Sequence, residues 1–237
     1  MAAESAPRTA RDFARIELTR SILAEGRRQL SQVGPGELSL RAVARELGMA
    51  SSAVYRYFPS RDHLISALLI EGYNELGAAV EAADAGESPT RLTKRMSAVL
   101  HAVRDWANAN FHEYALLFGS PIPGYVAPDD TILPAQRVPI VLLRILSDAD
   151  AAGLPLGSPS VPIPRAEKAA IAPVRVVVDG PLSDERLVRA VMAFSTLIGA
   201  ISLELFGHLV NGVIDYDTHF DHVVDRMVAD LGLRRVR

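Results

Sequence analysis

Cysteine is absent from the 237 residues, which excludes disulfides, thiolate metal sites and cysteine nucleophiles. No alternating strand pattern of any length occurs; residues 174–178 are the only β-like run. A glycine-rich phosphate loop is missing too, and so is any internal repeat. The six His show no spacing to a nucleophile or acid, so no catalytic set can be assembled, and neither an enzyme nor a cofactor is expected. The first residues, MAAESAPRTARDFARIE, lack the apolar core of a signal peptide. The longest uncharged run, residues 190–203, is 14 residues, short of the ~20 needed to cross a bilayer. A cytoplasmic protein without a membrane partner is expected.

Hydrophobic residues make up 49% of the chain, enough for one large domain or for a small domain and a larger one. Net charge is −3, but its distribution is uneven. Residues 1–62 hold ten Arg against seven acidic residues, net +3; the remainder holds fifteen basic and twenty-one acidic residues, net −6. A basic head on an acidic body fits phosphate contact at one end only, with chance asymmetry as the alternative.

The chain is organised around residues 37–69, ELSLRAVARELGMASSAVYRYFPSRDHLISALL. Leu40, Val43, Ala44 and Leu47 recur at i, i+3, i+4 and i+7, one apolar face of a helix. Gly48 follows, where a helix end favours positive φ. Ser51 or Ser52 supplies a cap for a second helix through Phe58, which stops before Pro59. Ser60 caps a third. A helix, a tight turn and a short exposed helix make the helix-turn-helix layout that enters the DNA major groove.

Ser39-Leu40-Arg41-Ala42-Val43-Ala44, Leu47-Gly48, Val54-Tyr55-Arg56-Tyr57-Phe58, and Arg61 with Leu64 and Leu68 together resemble the DNA-binding domain of the TetR family of bacterial transcriptional regulators. The resemblance covers roughly residues 12–70. Residues 106–129, WANANFHEYALLFGSPIPGYVAPD, are similar to the C-terminal domain of one TetR subgroup. The resemblance implies an all-α fold: a three-helix head at 10–58 and an effector-binding and dimerisation domain at 59–237; residues 1–9, small and polar, read as a disordered tail. It further implies a homodimer on operator DNA. Arg56 can pair with guanine O6 and N7 or reach a phosphate, and Tyr57 can meet a thymine methyl or a phosphate. Tyr55 stands where the family has a phosphate-contacting tyrosine, with packing between helices as the alternative. Arg61 stands where the family carries a basic residue on phosphate; Ser39 opens the preceding helix, where a hydroxyl or N–H can hold phosphate. Arg8 and Arg11 can meet phosphates or simply face solvent. Ser51, Ser52 and Ala53 are small, which leaves specificity to Arg56, Tyr57 and DNA shape.

Further along, periodicity predicts helices at 10–32, 61–83, 89–109, 111–118, 131–152, 183–209 and a last one capped by Asp217 or Thr218. Pro134 and Pro139 disturb the fifth. Residues 153–182, with six Pro, read as a long loop holding a short helix near 165–171. Residues 188–210 are apolar nearly all round and predict a helix buried on two sides. With the stripe Phe220, Val223, Val224, Met227 and Leu231, they predict dimerisation through 183–210 and 218–231. Trp106, Phe111, Tyr114, Phe118, Met192, Phe194 and Thr196 are pocket candidates for a mostly apolar small-molecule effector, with His101 and Ser195 as further polar orienters. His219 and His222, among Asp215, Asp217, Asp221 and Asp225, read as a solvated helix start, with a metal cluster as the alternative. The expected function is a ligand-responsive repressor of a near-palindromic operator; the alternative is a constitutive or structural DNA-binding protein without effector.

Overall fold

The structure, a computed structural model, describes residues 9–157, 160–177 and 179–233. Arg8 and the rest of the expected tail up to residue 8, and Val178 of the β-like run, lie outside them. Among the described residues the fold is all-α, without strands: α1 (Ala10–Val33), α2 (Leu40–Glu46), α3 (Ser51–Val54), α4 (Arg61–Ala85), α5 (Leu92–Ala109), α6 (Phe111–Phe118), α7 (Ile132–Ala151), α8 (Arg165–Arg175), α9 (Asp184–Leu205) and α10 (Tyr216–Asp230). Two 3-10 turns, Pro35–Glu37 and Asp129–Thr131, join them. Val174 and Arg175 of the β-like run are helical.

The chain divides into two compact units. The first holds residues 1–72 and 112–131. Thr9 caps α1: its hydroxyl accepts the Asp12 N–H. Ile22, Leu23 and Leu30 of α1, Leu40 and Val43 of α2, and Leu64, Ile65 and Leu68 of α4 are buried. The loop before α7 is fastened to α4 by the Tyr125 hydroxyl, 2.9 Å from Ser66 Oγ. Burial there pushes the Tyr125 phenol above its ordinary pKa.

The second unit holds residues 73–111 and 132–237. Here α5 packs against α7, α9 and α10, and α9 also against α7 and α8. Met96, Val99, Val103, Ile145, Leu197, Ile201 and Phe220 are buried in it. α7 runs straight through the prolines expected to disturb it. Pro134 sits in the first turn, where the missing N–H has no intrahelical partner; Pro139 lies inside the helix, where it leaves the carbonyl four residues back without its donor.

α9 departs from expectation twice. It ends at Leu205 rather than near 209, because Gly207 takes φ 76° and the chain closes with Gly207 N–H to Glu204 O and His208 N–H to Leu203 O. It is also not buried on two sides within one protomer: Met192, Leu203 and Phe206 are 61%, 44% and 37% exposed. With 22 residues it is long and apolar enough by composition to cross a bilayer, which the uncharged-run length alone did not show. The expected stripe on α10 is spent inside the protomer, where Phe220, Val224, Met227 and Leu231 are buried.

Buried arginines tie the helix ends of this unit together. Arg186, fully buried, donates from Nε to Asp150 Oδ1 at 2.6 Å and from its terminal nitrogens to the carbonyls of Leu231 and Leu154. One guanidinium thus satisfies carbonyls beyond the ends of α10 and α7, which would otherwise be orphaned. Arg95 bridges Asp84 and Asp148 in the same manner, at 2.6 and 2.7 Å. Removing a carboxylate from such a pair strands a desolvated cation. Asp150→Ala is therefore expected to lower unfolding free energy by on the order of 3–5 kcal/mol, read from the urea midpoint of the purified protein.

Candidate nucleic-acid interface

α2 is opened by Ser39, whose Oγ accepts the Ala42 N–H at 3.5 Å while its own N–H donates to the buried Gln29 Oε1 at 3.3 Å. The helix closes at Gly48, φ 64°, with Gly48 N–H to Arg45 O and Met49 N–H to Ala44 O. That paired closure needs left-handed backbone at one residue, which glycine adopts without a Cβ penalty. It turns the chain sharply and lays α3 against α2.

α3 corrects two expectations. Its cap is Ala50, which offers no side-chain hydrogen bond, rather than Ser51 or Ser52. Its α-helical part is only Ser51–Val54, and residues 55–57 are a turn rather than part of the helix. Arg56 N–H reaches Ala53 O and Tyr57 N–H reaches Val54 O, the tighter i to i−3 spacing. Four residues cannot sustain a helix by propagation, so packing must hold this segment. Val54 and Phe58, four apart, are both buried and supply that anchor. Every side chain between them is thereby placed. Tyr55 and Arg56 are exposed and Tyr57 half-buried; Ser51 and Ser52 are exposed and Ala53 half-buried. Arg41, one residue inside α2, is exposed as well, although the sequence did not single it out. Its nearness to the Ser39 cap was the available signal.

Arg61 is placed differently from the others. Its Nη2 donates to the carbonyls of Pro35 and Gly36 at 2.6 and 2.8 Å, and its Nε is buried without a hydrogen-bond partner. The guanidinium braces the 3-10 turn between α1 and α2.

Trp106 and Tyr114 are buried, and Tyr114 stacks obliquely on Phe118 at 5.1 Å. Phe111 meets Phe206 edge-on at 6.1 Å. Met192 lines one cavity with Val188 and Ile163, Phe194 another with Leu142 and Val191. Thr196 returns its hydroxyl to Met192 O. His101 Nε2 lies 2.8 Å from Asp221 Oδ1, which takes that carboxylate away from His219 and His222. Among the described residues no His, Asp and Glu cluster is arranged to hold a metal.

A short exposed helix anchored by two buried side chains, after a helix and a tight turn, defines a helix-turn-helix protein. Residues 22–68 match the model described as bacterial regulatory proteins, tetR family, and residues 96–231 match the tetracyclin repressor-like C-terminal domain. The chain belongs to the TetR family of bacterial transcriptional regulators. It is 39% identical over 198 residues to the HTH-type transcriptional regulator Rv1816 of Mycobacterium tuberculosis, covering 82% of this chain and 83% of that one. Among solved structures, regulatory protein SCO4313 is similar with TM-score 0.74 and 31% identity, covering 93% of this chain and 99% of that one. A protein with unknown function from Rhodococcus sp. RHA1 follows at TM-score 0.66 and 26% identity, with 92% and 94% covered. The family and these named regulators mark a transcriptional regulator rather than an enzyme.

A phosphate contact and a brace at Arg61 give different readouts. Arg61→Ala is expected to lower the melting temperature while leaving the slope of log affinity against log salt unchanged. Loss of a phosphate contact would instead reduce that slope by about 0.9.

Proposed function

We propose that this protein is a ligand-responsive repressor that binds a near-palindromic operator as a homodimer. The observation that carries the reading is the trio Tyr55, Arg56 and Tyr57, presented outward or half-outward between the buried Val54 and Phe58. On this reading residues 10–58 bind DNA and 59–237 serve effector binding and dimerisation, in the cytoplasm. Arg56 reads a base edge; Tyr55, Tyr57 and Ser39 hold the backbone, with Ser51, Ser52 and Ala53 close to the groove. Arg41 joins them as a phosphate contact. Arg61 contributes by keeping the turn before α2 in place.

Dimerisation is assigned to the outer face of α9. Met192, Gly199, Leu203 and Phe206 recur at i, i+7, i+11 and i+14 on that side, with exposed apolar side chains at both ends. A partner's α9 can approach closely over Gly199, and the contact is isologous. α10 adds its polar outer side. Ile201 is buried within the protomer, so a charge there would test folding and not association. Met192→Glu and Leu203→Glu are expected to give folded monomers by analytical ultracentrifugation; a dimer retained in both excludes this seam.

The ligand acts by different affinity for the DNA-bound and released conformations, so operator DNA weakens ligand binding by the same factor. The cavity lined by Leu142, Leu143, Val191 and Phe194, which no charged side chain lines, supports a mostly apolar effector. Selection from random duplexes tests the DNA part: it should return a symmetric site, on which Arg56→Ala costs about 1–3 kcal/mol and relaxes one position per half-site. Tyr55→Phe should weaken all sequences alike. Failure to enrich any symmetric duplex overturns the repressor reading.

A further inference from the structure

Between α7, α8 and α9 lies a cavity of ≈240 Å³. Pro139, Leu142 and Leu143 of α7 form its floor, Val174 of α8 one wall, and Ala190, Phe194 and Ser195 of α9 the other. No charged side chain lines it. An apolar cavity of about 150 Å³ stays dry and admits benzene, and ligand sites run from about 300 Å³ upward. This space therefore suits a molecule of one or two rings, or an aliphatic chain of similar bulk. It is too small for a helix, whose diameter is about 10 Å.

One polar atom gives it direction. The Ser195 hydroxyl donates to Val191 O at 2.9 Å, back into its own helix. Its proton is committed, and the lone pairs of Oγ remain as an acceptor. The matching ligand group is an O–H or N–H donor.

α8 has the construction of a cover. Ile171 is its buried side chain, and most of its other residues are exposed. Asp184, in the first turn of α9, takes Lys168 Nζ at 2.9 Å and Arg175 Nη2 at 2.6 Å. These cations hold the Asp184 carboxyl below the usual carboxylate range, Lys168 contributing most. Both pairs are exposed, and exposed ion pairs hold weakly, so Ile171 and the Arg175 hydrogen bond to Leu182 O carry most of the attachment of α8. The chain enters it through Pro162 and Pro164 and leaves towards Pro181.

We propose that this cavity binds one small uncharged molecule of one or two rings, or an aliphatic equivalent, which donates a hydrogen bond to Ser195 Oγ beneath α8. The site deepens the ligand-responsive reading above, and it takes up only Phe194 and Ser195 of the residues expected from sequence. Binding is measured without DNA, so its failure leaves the operator results standing, and the reverse.

The test titrates 1-naphthol and naphthalene into the full-length protein and follows their fluorescence. One saturable site per chain is expected for each, with 1-naphthol bound several-fold more tightly. Ala190→Leu and Val174→Phe, which fill the space from opposite walls, should weaken both probes at least tenfold. Ser195→Ala should remove the preference for 1-naphthol and leave naphthalene unchanged. Ser195 is exposed, so this variant carries the test even where the filled variants fail to fold. Absence of saturable binding, affinities indifferent to the filled variants, or a naphthol preference that survives Ser195→Ala overturns the site. Affinity that rises as the protein is diluted to monomers also overturns it, since a second copy of the chain would then be the occupant.

Discussion

Burial of Val54 and Phe58 is the constraint on which the exposed surface of the helix-turn-helix depends. Four helical residues with no side-chain cap have no stability of their own. Each fully buried apolar side chain contributes about 1.5–3 kcal/mol, so two of them can fix what hydrogen bonding leaves marginal. Once they are fixed, the turn carrying Tyr55 and Arg56 has a single orientation. The rest of the head serves that placement. Ser39 and Gln29 lock the start of α2, Gly48 closes its end, and Arg61 ties the beginning of α4 to the turn before α2. A residue of a type that contacts phosphate here also donates to backbone carbonyls.

The second unit is held by a different mixture. Its helices share an apolar core, but their ends are joined by guanidinium groups. Arg186 is fully buried and acts on three partners, two at the end of α7 and one at the end of α10. Arg189 reaches Glu185 and Asp230, and Arg104 reaches Glu204 and lies over the Phe220 ring at 5.0 Å. Burying cations costs desolvation, and only several well-placed acceptors offset it. What such a network does supply is register: each guanidinium accepts few arrangements of its neighbours. α9, so pinned at its start, offers an apolar outer face that its own chain leaves uncovered. The same helix thereby closes the core on one side and leaves an apolar face exposed on the other.

Much of this was legible in the sequence, because the signals were local. Helix existence followed from apolar spacing, and α6 fell on the expected residues. Most other limits, including those of α1, α4 and α7, fell within about three residues of expectation, within the usual uncertainty of helix ends. The head's identity followed from a motif whose residues lie within about thirty positions of each other. The sequence by itself therefore determined the all-α class, the helix-turn-helix and the family, since periodicity, caps and turns act over a few residues. The tertiary structure alone decided where the long side chains and apolar faces go. It turned Arg61 onto the Pro35 and Gly36 carbonyls, sank the α10 stripe into the protomer and left the α9 face open. It also divided Met192 and Phe194 between separate cavities. Those outcomes depend on which distant segment arrives opposite a residue, and apolar spacing looks the same whether the covering surface comes from the same chain or from a partner.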